Sequence, residues 1–456
     1  MKKLCTALFI GALFLTACGP PATTKTPLAT QVTVKTPKPS QVVDAASRLG
    51  VEAEALNGLQ IDVWHPWFGV EASLFQVMVE DFNGANSWGI KVNASGQVNF
   101  SNLYEEVTTS LPTENRPDLV IALPEHALSW DAEGVAVEMT PYIEDPLYGM
   151  DTTDFPGVFW SQDNVGERQA AIPAQRTARF LLWNETWAGE LGFDSPPDSP
   201  NDFRQQSCRA HLSMSSDATP NNDAKGGWII DSDPMTAYAW LLAFEGGVLE
   251  GNDYRFLTPN NLEAFTFLKK LVEDACVWQV NTSDPITEFA TRQTMFISAS
   301  LQDFPAITRA FANANNTDKW TVLAYPGANS QAVVVYGSSY VALESSDAEQ
   351  LASWIFIRWM LEPEQDARLV EATHLFPLRA STIDLLADYQ GSHPQWAEAV
   401  KLIPDGELTP QLASWRIVKV MVGDAFQDML SRTNLTSGQV AKVLAQMQDT
   451  AHELNK

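Results

Sequence analysis

Between Ile61 and Ala122 the apolar positions switch period several times. Ile61-Asp62-Val63-Trp64-His65 alternates and then breaks at Pro66, which predicts a strand ending in a loop. Within Glu71 to Asn83, Leu74, Val77, Met78 and Phe82 recur at helical spacing. Ile90 to Val98 reads as a second strand and Leu103 to Leu111 as a second helix. Arg116-Pro117-Asp118 then leads into Leu119 to Ala122, a run of the kind buried in a parallel sheet. Strands alternating with helices predict an α/β lobe whose ligand-facing loops lie at the carboxyl ends of the strands. Farther along, Trp240 to Gly247 and Asn260 to Val272 read as helices, and a helical portion beginning near Leu351 is expected to pack on a second lobe.

The first apolar run, Leu4 to Leu15, follows Lys2 and Lys3. Its length of about 12 residues is too short to span ~30 Å of hydrocarbon, so residues 1–17 read as an export signal. Leu15-Thr16-Ala17-Cys18 resembles the lipobox of bacterial lipoproteins, and the resemblance implies a diacylglyceryl group on Cys18 after cleavage. Pro, Thr, Ser and Lys dominate the following stretch to Val43, and residues 18–56 are assigned to the lipidated cysteine and a flexible tether. No later run approaches ~18 uninterrupted apolar residues, so the lipid is the expected membrane contact.

The roughly 400 residues that remain exceed what one core usually supports, which argues for two domains. Net charge is −27, from 56 acidic against 29 basic residues, and such a surface disfavours nucleic acid as a partner. Of the four cysteines, Cys5 leaves with the signal and Cys18 is the lipid acceptor. Cys208 and Cys276 are left either as a disulfide, which export favours, or as two separate buried thiols. Neither has a partner at metal-ligand spacing.

An ordered series of short motifs, from Leu59 to about Ser381, resembles the extracellular solute-binding proteins of ABC importers, in particular the maltose-binding-like group. The series runs through Trp64-His65, Asp81-Phe82-Asn83, Arg116 to Val120 and Val137 to Ile143. It continues through Ala171-Ile172-Pro173, Phe180 to Asn184, Glu288 to Phe296, Tyr325-Pro326-Gly327 and Tyr336 to Ala342. Where that family usually carries Gly-Lys, this chain has Arg292-Gln293. The resemblance implies a periplasmic-binding-protein-like α/β fold with two lobes, a three-segment hinge and a ligand cleft. Crossings are expected near Ile172, Pro285 and Val333. Residues 57–172 and 286–332 would then form lobe 1, and residues 173–285 and 333–456 lobe 2.

Sugars offer hydroxyls at their edges and C–H patches on their faces, so their sites combine aromatic rings with hydrogen-bonding groups. Fifteen tryptophans supply the rings. Trp64 and Trp67 bracket the loop after the first strand, and Trp228 and Trp240 are the second-lobe aromatics. Glu71 and Glu125 stand where charge-assisted bonds to hydroxyls could form, although Glu71 equally suits a helix start. Gln175, Arg176 and Arg179 on the first crossing need partners if buried. Tyr336, Gly337 and Ser338 offer hydroxyls and a close backbone approach on the last crossing.

Nucleophile-elbow, zincin and phosphate-loop motifs are missing from the sequence, and its six histidines are scattered. No cofactor and no metal are expected. The reading is a monomeric, extracytoplasmic binding protein that hands a carbohydrate to ABC permease subunits. Two alternatives stand beside it: an anchored carbohydrate-active enzyme, and a binding protein for a peptide or polyamine.

Overall fold

The structure, a computed structural model, describes residues 46–113, 115–279 and 284–455. The export signal, Cys18 and most of the assigned tether lie outside them. The tether is shorter than expected, because Ser47 Oγ and the Arg48 amide both donate to the Asp145 carboxylate, at 3.0 and 2.7 Å, and Leu56 is fully buried.

The first half builds β1 (Gln60–His65), α1 (Gly69–Ala85), β2 (Lys91–Gly96), α2 (Phe100–Ser110), β3 (Leu119–Ala122) and α3 (Pro124–Ala132). The expected strand–helix alternation is present. Of the expected stripe of α1, Met78 and Phe82 are buried, whereas Phe75 and Val79 are buried in place of half-buried Leu74 and exposed Val77. The four buried residues, Phe75, Met78, Val79 and Phe82, fall at i, i+3, i+4 and i+7 and make a continuous apolar face, and the helix packs against β2.

β4 (Ile172–Asn184) follows, 13 residues long and buried throughout. Then come α4 (Pro200–Ser215), β5 (Trp228–Ile230), α5 (Pro234–Ala243), α6 (Pro259–Glu273), β6 (Val277–Gln279), β7 (Phe296–Ala299), β8 (Trp320–Leu323) and β9 (Gln331–Ala342). Proline at the first turn and a Ser or Thr cap fix the starts of α4 and α6. The chain closes with α7 (Asp347–Met360), α8 (Pro363–Thr373), α9 (Pro394–Lys401), β10 (Gly406–Leu408), α10 (Trp415–Ser431) and α11 (Val440–Leu454).

One 11-stranded sheet joins both lobes, in the order β6-β5-β7-β4-β9-β3-β1-β2, with β8, β10 and Tyr325–Pro326 pairing alongside. β4 and β9 are its spine. The early half of β4 pairs antiparallel with β9, and the end of β9 pairs with β3 in the first lobe. The far half of β4, Phe180 to Asn184, pairs with β7 and β8. At Gly337 a Cβ would lie 2.0 Å from the Gln175 carbonyl oxygen, so only glycine lets the two spine strands meet there.

These pairings correct the expected lobe boundaries. Residues 296–323 belong with the far half of β4 and with β5, not with the first lobe. The crossings are β4, β9 and the segment after α9, rather than one near Pro285. The C-terminal helices also divide: α7 packs on β1 and α8 on α1, whereas α10 and α11 pack on α5 and α6. Two large buried clusters hold the fold: one runs from Phe75, Phe82, Trp354 and Phe356 along the sheet to Phe304 and Trp320, and the other gathers around Phe203, Trp228, Trp240 and Phe426. Cys208 on α4 and Cys276 before β6 form a disulfide, as export favours.

Candidate functional site

A cavity of about 670 Å³ opens where the middle of β4 and β9 meets the starts of α1, α3 and α5. One wall comes from the first lobe: Trp67, Phe68, Glu71, Phe100 and Glu125. The other comes from the second: Asp233, Met235, Trp415 and Lys419. Gln175, Tyr336 and Ser338 form the floor, supplied by the spine strands.

Gln175 organises the floor. Its Oε1 accepts from Trp67 Nε1 at 3.1 Å and from Ser338 Oγ at 3.3 Å, while its Nε2 donates to Glu71 Oε1 at 2.5 Å. Trp67 is further fixed by an edge contact with Phe75, ring centroids 4.9 Å apart. The Trp67 indole and the Glu71 carboxylate are therefore held before any ligand arrives, which reduces the ordering cost of binding. Burial raises the Glu71 carboxyl above its ordinary value, and the bond from Gln175 partly offsets that. The Tyr336 hydroxyl meets Ser300 Oγ, and burial raises it well above a normal phenol.

At one edge the lobes touch directly. Lys419 Nζ of α10 binds the Glu125 carboxylate of α3. Burial would raise Glu125, but the Lys419 ammonium and neighbouring His126 hold it below the usual range. Beside this pair the Arg416 guanidinium lies over the Tyr104 ring, 4.3 Å from its centroid, and makes a second contact between α10 and the first lobe.

Of the residues singled out from the sequence, Trp67, Glu71, Glu125, Tyr336 and Ser338 converge on the cavity with their side chains available to it or to its immediate support. Four others need correction. Trp64 points to the opposite face of β1, against the layer of α2 and α3, as strand alternation requires. Trp228 and Trp240 are fully buried and pack on each other and on Phe203, so they hold the second core. Arg176 borders the cavity, but its guanidinium is fully buried on Asp163 at 2.6 Å and on the carbonyl oxygens of Phe159 and Ser338. It braces the spine. Arg179 is likewise occupied, by Asp231 at 2.5 Å and by Thr236 Oγ1 at 2.8 Å.

The family model for bacterial extracellular solute-binding proteins matches residues 77–404. The chain belongs to that family. Its place of work is therefore extracytoplasmic, where a disulfide such as Cys208–Cys276 persists. No curated protein matches the sequence.

Solved structures similar to this solute-binding protein include the cyclic alpha-maltosyl-1,6-maltose binding protein of Arthrobacter globiformis. It is 19% identical with a TM-score of 0.73, and the match covers 87% of this chain and 99% of that one. The sugar-binding protein MalE of Xanthomonas citri is 17% identical, TM-score 0.75, with 87% and 97% covered. UgpB of Mycobacterium tuberculosis, solved with glycerophosphocholine, is 17% identical, TM-score 0.70, with 87% and 98% covered. At these identities the likeness establishes the two-lobed fold.

Asp233, Met235, Trp415 and Lys419 line the cavity and were not among the expected site residues. Asp233 stands before a proline-started helix, a signal visible in the sequence. Trp415 and Lys419 lie on an amphipathic helix nearly 300 positions from Glu125, where a lysine looks like any solvated residue. Among the described residues, no group of three or more His, Cys, Asp or Glu could hold a metal ion, and no helix is long and apolar enough to cross a membrane.

Proposed function

We propose that this solute-binding protein captures a carbohydrate in the cleft, closes its lobes around it and passes it to ABC permease subunits without altering it. The observation that carries the reading is the make-up of the cavity walls. Indole and phenyl surfaces of Trp67, Phe68 and Phe100 stand beside carboxylates, amides and hydroxyls of Glu71, Asp233, Gln175 and Ser338. Flat apolar faces suit the C–H faces of pyranose rings, and the acceptors suit their hydroxyls. Similar proteins from A. globiformis and X. citri are named for binding maltose-type or other sugars, which favours the same ligand class here.

Closure follows from the layout. A ligand touching both walls binds the closed arrangement better than the open one, and only that difference shifts the population. A micromolar complex needs about 8 kcal/mol net, within reach of several stacked rings and hydrogen bonds after ordering costs. The protein is read as a monomer tethered to the membrane by lipid on Cys18, and neither nucleic acid nor a cofactor enters the scheme.

A thermal-shift screen over mono- and oligosaccharides tests the proposal, because a ligand of the native state raises the melting point by mass action. A concentration-dependent rise, with the sugar recovered intact by chromatography, supports it. Cleavage products in the same incubation support an anchored carbohydrate-active enzyme instead, and a response confined to peptides or polyamines supports a different solute.

A further inference from the structure

Three helices begin at the wall of the cleft, and each carries its own carboxylate there. Glu71 lies in the first turn of α1, Glu125 in the first turn of α3, and Asp233 is the N-cap of α5, accepting from the Met235 amide at 2.8 Å. A helix start concentrates roughly half a positive charge, which would otherwise be an attractive seat for an anion. Here each of those positive ends is answered from within the protein.

The bases at the cleft are answered as well. Arg176 is paired with Asp163 at 2.6 Å with both side chains fully buried, and Lys419 is paired with Glu125. Arg179, behind the wall, is shared by Asp231 at 2.5 Å and Asp233 at 3.5 Å, two acids for one base. Arg416 is turned onto the Tyr104 ring and is not part of the cavity lining. Glu71, by contrast, has no cationic partner among the described residues; its side-chain bond comes from the neutral amide of Gln175. An arriving anion therefore meets no uncompensated positive group, whereas an arriving ammonium or hydroxyl meets a desolvated carboxylate.

We propose that the cleft selects carbohydrates by charge, admitting neutral and amino-substituted sugars and excluding uronic acids and sugar phosphates, with Glu71 as the residue that sets the preference. The inference rests on the carbohydrate reading above and adds to it a rule about which sugars qualify. Specificity of this kind comes from repulsion and missing partners as much as from attraction. Asp233 contributes to the same field from the opposite wall, since it shares one arginine with Asp231.

The test is isothermal titration of the full-length protein with a matched set of one oligosaccharide in neutral, amino-substituted and uronate forms, run for the wild type and for Glu71→Gln. The glutamine keeps an acceptor for Gln175 and removes the charge, and a thermal melt of each variant confirms that it is folded. Expected is a uronate at least tenfold weaker than the neutral sugar and an amino form at least as tight. In Glu71→Gln the gap between the amino and uronate forms should shrink by tenfold or more. A uronate within tenfold of the neutral sugar, an amino form weaker than the neutral one, or a gap unmoved by Glu71→Gln would overturn the charge rule and leave carbohydrate binding intact. Heat from none of the three forms, together with no response to any sugar in the broader screen, would remove both.

Discussion

Replacing Lys419 by Met strips the ammonium from the one direct ion pair that ties α10 to α3 across the cleft edge, and leaves the Glu125 carboxylate buried without it. The Glu125 side chain is only 6% exposed and that of Lys419 24%, so the pair sits in a medium far less polarisable than water. Removing one partner of a buried pair costs about 3–5 kcal/mol, and partial access of solvent to Lys419 lowers the expected figure to about 2–3 kcal/mol. Part of that cost falls on the closed arrangement alone, because separating the lobes lets Glu125 regain water. If all of it did, the closed-to-open ratio would change by roughly 30- to 150-fold, which is therefore the upper bound on the shift.

Two spin labels, one on the outer face of α1 and one on α11, report the lobe separation directly by electron–electron dipolar spectroscopy. In Lys419→Met the distance distribution should lengthen and broaden, and ligand affinity should fall by the same factor as the closed fraction. Glu125→Gln combined with Lys419→Met should recover most of the closed population, since the buried charge is then gone. The Arg416 contact with Tyr104 remains in all variants and limits how far the lobes part. An unchanged distance distribution in Lys419→Met, with unchanged affinity, would refute the view that this pair biases closure.

Three further outcomes follow from the geometry. Arg176→Met leaves Asp163 buried and unpaired beneath the spine, so unfolding in urea should register a loss of about 3–5 kcal/mol, and a loss under about 1 kcal/mol would restore Arg176 as a ligand group. Cys208→Ser opens a loop spanning 68 positions and should cost ~4 kcal/mol of stability under oxidising conditions, with no difference between the variant and wild type once both are reduced. Burial holds the His65 imidazole down to about 4, so the unfolded chain takes up its proton first as pH falls. His65 therefore supports the fold fully above its ordinary value near 6.5 and loses about 3 kcal/mol by pH 4; His65→Phe should flatten that part of the stability profile, and an unaltered slope would count against it.

Much of the first lobe was legible because its elements announce themselves locally. Pro66 ends β1, the apolar face of α1 repeats at helical spacing, and Arg116-Pro117-Asp118 leads into a buried strand. The loop after β1 also delivered Trp67 and Glu71 to the cleft, since a strand's carboxyl end is where such a fold places its ligand. Trp64 was misjudged for a related reason: one step along a strand reverses the face, and the sequence does not say which face is the core.

The second lobe was harder to read. Trp240 sits in a helix apolar on every side, which signals burial, and the burial of Trp228 follows from the pairing of β5 with β6 and β7, which leaves no local mark. Pro285 begins a short helix, Pro285–Ala290, and gave the appearance of a crossing; only the pairing of β7 with β4 shows where the chain belongs. Long-range pairs such as Lys419–Glu125 and Arg176–Asp163 have no local signature at all. They depend on strand order and helix packing that a single sequence specifies only collectively.

The central claim, a cleft that holds a sugar between Trp67 and the opposite lobe without altering it, is met most directly by calorimetric titration of an oligosaccharide identified in the screen. The account predicts one site per chain, a loss of at least tenfold in affinity for Trp67→Ala measured below the melting point of that variant, which loses a buried side chain worth about 3–5 kcal/mol, and quantitative recovery of the sugar. Binding undiminished in Trp67→Ala, or a sugar recovered cleaved, would contradict it.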